Sequence, residues 1–193
     1  MSKVFRWFPE GRIWLITGPK GVRNQGGKTF LACWWAWAFI EAGGHVFSNI
    51  LVGRLQDGRM AHEVPERYHY VTSMYETFAE LAQVIRKEPD AKRLVILDEM
   101  GASFGGSMSY GSDLGKSLQS FAQLVRKFKC AALFITARRK GILKAFRTEG
   151  LIDGRMRKDL AVIQEHGGYL LEQGFEPQQI VVITFAGITE AYT

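Results

Sequence analysis

The chain has 193 residues, 47% of them hydrophobic and 23% charged, with a net charge of +6. That balance is ordinary for one globular domain of residues 1–193, and no apolar run approaches the roughly 20 residues a membrane-spanning helix needs. The first twelve residues hold no apolar h-region, so no secretory leader is expected and a cytoplasmic location is.

In chain order, residues 12–17 (RIWLIT) read as a short buried strand ahead of Gly18. Residues 18–27 are loop, and 28–42 are a helix that stops at Gly43 and Gly44. Residues 45–48 form a second strand. Residues 74–87 are helical, with Phe78, Leu81, Ala82 and Ile85 on one face, and end before Pro89. Residues 94–97 are four aliphatics, the pattern of a buried strand. Residues 101–112 are a glycine- and serine-rich loop; a mobile functional loop and a surface excursion fit it equally. Residues 114–128 carry Leu118, Phe121, Leu124, Val125 and Phe128 at helical spacing. Residues 131–135 are another buried strand. Alternation of strands and helices, with continuously apolar strands, predicts a parallel sheet covered on both faces. The tail differs. Residues 160–164, 169–172 and 180–185 read as strands joined by tight turns, an antiparallel extension of the sheet edge.

The chemistry concentrates in two places. GPKGVRNQGGKT, residues 18–29, lies between a strand and a helix, where a phosphate-binding loop belongs. Glycines let backbone amides curl round phosphate, a lysine reaches the β- and γ-phosphates, and a hydroxyl ligates Mg²⁺. The expected contacts to ATP are Gly21, Gly26, Gly27, Lys28, Thr29 and Phe30. The spacing departs from the usual motif: Gly21 precedes Gly27 by six positions, so the loop is lengthened, with Lys20 and Arg23 inside it. The second place is the acid pair Asp98–Glu99, ending the aliphatic strand. Asp98 is expected to hold Mg²⁺ with Thr29, and Glu99 to orient or deprotonate the attacking water. Thr136, at the end of a later strand, either senses the γ-phosphate or simply caps the strand.

With these motifs and the later arginines, residues 12–150 resemble the FtsK–HerA superfamily of DNA-pumping ATPases. They look most like the small viral genome-packaging ATPases and, more distantly, the zonula occludens toxin family. GGHVFSNI, residues 43–50, is similar to the second strand and following asparagine of those proteins. The resemblance implies a three-layer α/β P-loop NTPase of the RecA/ASCE-like type, its sheet mainly parallel; the tail pattern adds residues 151–193 as a β-rich extension. It also implies ATP hydrolysis coupled to movement of double-stranded DNA, and a homo-oligomeric ring, usually a hexamer. A capsid or portal vertex protein is a further implied partner, with a place in host cytoplasm or at a virion vertex. Arginines from one subunit complete the next subunit's site in that family, and Arg138, Arg139 and Arg147 are the candidates here. A solvated basic surface or a DNA contact suits any one of them as well. The glutamine usual after the last core strand is replaced by Ala137 or Arg138.

The remaining features are weaker. Between Arg126 and Lys158 there are eleven basic residues against Glu149 and Asp153, which predicts an electrostatic, sequence-independent DNA surface. Trp34, Trp35 and Trp37 read as core packing, with Trp35 offset toward a subunit interface; a base-stacking platform is the alternative. Cys33 and Cys130 read as buried free thiols. The competing functions are a phage assembly or export ATPase of the zonula occludens toxin type, a nucleotide-dependent regulatory or structural protein, and a small-molecule phosphotransferase. Glu99 argues against the pure binding switch, and no lid segment supports the last.

Overall fold

The computed structural model describes residues 7–18, 27–52, 54–56, 59–61, 64–98, 113–136 and 152–193. The phosphate-loop residues Gly21 and Gly26, the acid Glu99, the loop 101–112, and Arg138, Arg139 and Arg147 lie outside them.

Ten strands and four α-helices make up the described fold. The strands are β1 (Ile13–Thr17), β2 (His45–Ser48), β3 (Arg54–Gln56), β4 (Arg59–Ala61), β5 (Tyr68–Tyr70), β6 (Arg93–Leu97), β7 (Ala131–Thr136), β8 (Gly154–Arg157), β9 (Val181–Phe185) and β10 (Ile188–Tyr192). The helices are α1 (Lys28–Glu41), α2 (Met74–Lys87), α3 (Asp113–Lys127) and α4 (Leu160–Glu172). Eight strands form one sheet in the order β10-β9-β8-β1-β7-β6-β2-β5, while β3 and β4 pair separately as an antiparallel ribbon. The six strands from β8 to β5 are mutually parallel, and β9 and β10 add antiparallel rungs at one edge.

Alternation along the strands divides the core into two layers. Ile13 and Leu15 face one side, with Phe47, Val95, Leu97 and Phe134, and pack under α2 and α3 through Leu81, Val84, Phe121 and Val125. Trp14 and Ile16 face the other, with Val46, Leu94, Ile96 and Leu133, under Ala32, Trp35, Ala36 and Phe39 of α1. The strands read as uninterrupted apolar runs because both faces are covered. At about 25 cal/mol per Å² of apolar surface, each such side chain contributes roughly 1.5–3 kcal/mol by burial.

Two sequence expectations are corrected. Residues 160–172 are not two strands but one helix, α4, with Asp159 at its N-cap position and a kink at Gly167 (φ −123°). The Gly167–Gly168 pair resembles a turn in sequence, yet here it serves packing. A Cβ at Gly167 would lie 3.0 Å from Ala191 Cβ and 3.3 Å from Ile180 Cγ2. Its absence lets the bent helix press Val162, Ile163 and Leu170 onto Ile180 and Val182. The antiparallel extension itself is present as β9 and β10. The tryptophans are also distributed differently: Trp35 is buried, whereas Trp34 and Trp37 are 54% and 52% exposed. Trp35 faces the sheet because it falls in the Ala32–Trp35–Ala36–Phe39 stripe; the other two lie on the far side of α1.

Candidate nucleotide site

The C-terminal ends of the parallel strands gather the polar groups. Thr17 ends β1 and is opposite Thr136, which ends β7; both are 5% exposed. Gly27 follows the undescribed part of the loop and enters α1 in the left-handed region (φ 51°), where a side chain is strained. It supplies no side-chain cap, and the first turn of α1 contains no acid. The helix therefore starts with amides turned toward the strand ends and no anion of its own there.

Lys28 and Thr29 open α1, and Thr29 Oγ1 donates to Asp98 Oδ2 at 2.6 Å. Asp98 is positioned by its neighbour strand. Ser48 ends β2 in register with Ile96 of β6. Asn49 then extends the ladder with its side chain: Nδ2 donates to the Asp98 carbonyl at 2.9 Å, and the Asp98 amide donates to Asn49 Oδ1 at 2.7 Å. The turn carrying Asn49 is held by Ile50 N donating to Ser48 Oγ at 3.1 Å and by the Tyr68 hydroxyl donating to the Ile50 carbonyl. Asn49 is thus a positioning residue that only the family resemblance marked in the sequence. Cys33, one turn after Thr29, has its thiol pKa raised by burial and then by the Asp98 charge. It is a protonated thiol beside the carboxylate.

A second lysine reaches this region. Asp153 fastens the start of β8 to β1: its carboxylate accepts from Ile13 N at 2.8 Å and from Arg12 Nη1 at 2.7 Å, and its amide donates to Ile13 O at 2.9 Å. The parallel register that follows brings Arg157 opposite Thr17. The next amide, Lys158 N, donates to Thr17 O at 3.1 Å. The Lys158 side chain is 9% exposed, and burial lowers its pKa. The sequence placed this residue in a basic surface tract, and its burial corrects that. The tract also divides between the two ends of the sheet. Exposed Arg126, Lys127 and Lys129 precede β7, at the opposite end from Lys158, about 20 Å away at ~3.3 Å per strand residue.

Among the predicted site residues, the structure brings together Gly27, Lys28, Thr29, Asp98 and Thr136 at one sheet edge. Phe30, on the first turn of α1, is 75% exposed. The strand β6, which Asp98 follows directly, is separated from β1 by β7. A solved structure described as a DnaB-like replicative helicase and its interactions with primase shares this architecture. The two align over 96% of this chain and 54% of that one, with a TM-score of 0.57 and 12% sequence identity. The shared fold is a mixed α/β one built on a mostly parallel eight-stranded sheet with helices on both faces. This chain spans about half the length of that helicase. No family model matches the sequence, and no curated protein matches it. No helix among the described residues is long and apolar enough to cross a membrane.

Proposed function

We propose that the protein is a magnesium-dependent ATPase that couples hydrolysis to translocation of double-stranded DNA. The observation that carries the reading is the Thr29–Asp98 contact at 2.6 Å, a hydroxyl and a carboxylate held together at the mouth of the loop that carries Lys28. Both donors are hard oxygens, the ligand type magnesium prefers, so Thr29 and Asp98 fit as its protein ligands. Magnesium held there would supply positive charge against the phosphates of a bound nucleotide.

The chain's own groups account for the rest. Lys28 and the α1 amides bind the phosphates, and Thr136 lines the neighbouring strand end. Glu99, next in sequence to Asp98, accepts the proton of the water that attacks the γ-phosphorus, and ADP leaves. DNA as the moved polymer, a ring assembly and a packaging role rest on the sequence resemblance; the DnaB-like architecture agrees with a nucleic-acid motor of this general kind. Arg147, with Arg138 and Arg139 as alternatives, acts across the subunit boundary of such a ring. A capsid or portal vertex protein is the partner that a packaging motor requires.

The test is ATP turnover by the purified protein with and without double-stranded DNA. Stimulation by DNA that is insensitive to sequence and falls steeply with salt is expected. Glu99→Gln is expected to bind ATP without turning it over. Unstimulated turnover in the presence of DNA would remove the translocase reading, and a Glu99→Gln protein of normal rate would remove the catalytic assignment.

A further inference from the structure

Lys158 reaches the phosphate loop from a direction the loop motif does not use. Its backbone is fixed by the β1–β8 register and by its amide bond to Thr17 O. A Cβ built on Gly18 would lie 3.5 Å from Lys158 Cβ and 3.5 Å from Lys28 Cδ, so the two lysine stems flank the first glycine of the loop. A Cβ built on Gly27 would lie 3.1 Å from Lys158 Nζ. The ammonium therefore ends over the residue that starts α1, beside the helix end that favours an anion. Gly27 leaves the room that this ammonium occupies.

We propose that Lys158 is a second phosphate-binding lysine of the site, acting within its own subunit on the phosphates of a nucleoside di- or triphosphate. This rests on the reading of residues 18–29 as a nucleotide loop. The electrostatics favour it. ATP carries about four negative charges and magnesium compensates two, so Lys28 alone leaves one unbalanced in a partly dehydrated pocket. Lys158 balances it.

The experiment compares magnesium-ATP and magnesium-ADP affinities of the unaltered protein, Lys28→Ala, Lys158→Met and Lys158→Arg by calorimetry, with melting temperatures taken without nucleotide. Loss of one charge-assisted phosphate contact is expected to weaken both affinities about tenfold or more in Lys158→Met. Lys158→Arg retains the charge and is expected to stay within about threefold of the unaltered protein. Lys158→Met with normal affinity, while Lys28→Ala loses binding, would overturn the proposal and leave the nucleotide site standing. An unaltered protein that binds neither nucleotide would remove both. A purely structural role would lower the melting temperature of Lys158→Met without changing the ATP affinity of the folded fraction. If Lys158→Met does not fold, reductive methylation of the unaltered protein decides: ATP is expected to lower the labelling of Lys158, and substantial labelling that is equal with and without ATP would overturn the assignment.

Discussion

Asn49 and Asp98, 49 positions apart in sequence, are joined by a reciprocal pair of hydrogen bonds, 2.9 Å from the amide of one to the carbonyl of the other and 2.7 Å in return. Asn49 thus behaves as one more rung of the β2–β6 ladder and fixes the backbone from which the Asp98 carboxylate reaches Thr29. Asn49→Ala leaves a partly buried amide and carbonyl without these partners. The expected cost is about 1–3 kcal/mol of stability, measured by urea unfolding. A loss of ATP turnover larger than the loss of ATP affinity is expected as well, because the Asp98 backbone is then no longer held. Unchanged kcat in a folded Asn49→Ala protein would show that the clamp does not position catalysis.

Asp98→Ala removes the carboxylate that meets Thr29 Oγ1. ATP affinity measured in magnesium and again in EDTA should differ for the unaltered protein and converge for the variant. A variant that keeps the full magnesium effect would place the ion elsewhere.

His69 supplies a pH dependence away from the nucleotide site. It stacks on Phe47 with ring centroids 4.5 Å apart, and its Nε2 is 3.0 Å from His45 Nδ1. Glu80 faces its other nitrogen, and Arg67 and Glu88 surround His45. Burial, then the neighbouring His45, lowers the His69 pKa, with Glu80 opposing. The unfolded chain thus binds a proton more readily than the folded one below the ordinary histidine value of about 6.5. Stability is expected to fall as pH drops from about 6.5 toward the lowered folded pKa, and His69→Gln should flatten that fall. Glu88, whose pKa is lowered by His45 and Arg67, acts only below its ordinary range, near about 4.5. Urea midpoints at pH 7.5 and 5.5 separate the two; an equal drop in His69→Gln would assign the effect to another group.

Gly154 starts β8 against the face of Trp14. A Cβ there would lie 2.3 Å from Trp14 Cζ3, and Trp14, 2% exposed, is stacked on Phe185 at 5.1 Å. Gly154→Ala should cost about 1–3 kcal/mol by overpacking. Because β8 carries Lys158, it should also weaken ATP binding. Thermal unfolding at the unaltered midpoint would show that the contact between β8 and Trp14 repacks freely.

The sequence by itself determined the parallel core and where along it the candidate site residues fall. Strands that are apolar on both faces announce a covered sheet. Lys28 and Thr29 after a glycine loop, and Asp98 after four aliphatics, are local patterns tied to the ends of such strands. Helices α2 and α3 were legible because Leu81 and Phe121 recur at helical spacing with their neighbours. Tertiary structure decided what depends on partners far along the chain. Residues 160–172 became one helix because Gly167 meets Ala191 and Ile180, contacts no local window contains. Trp35 and Trp34 exchanged their expected surroundings because only the sheet position fixes which side of an all-apolar helix is inward. Lys158 reads as one more cation in a basic tract. The pairing of β8 with β1 carries it beside Gly18 and Gly27, because a parallel register joins residues about 140 positions apart that sequence proximity cannot connect.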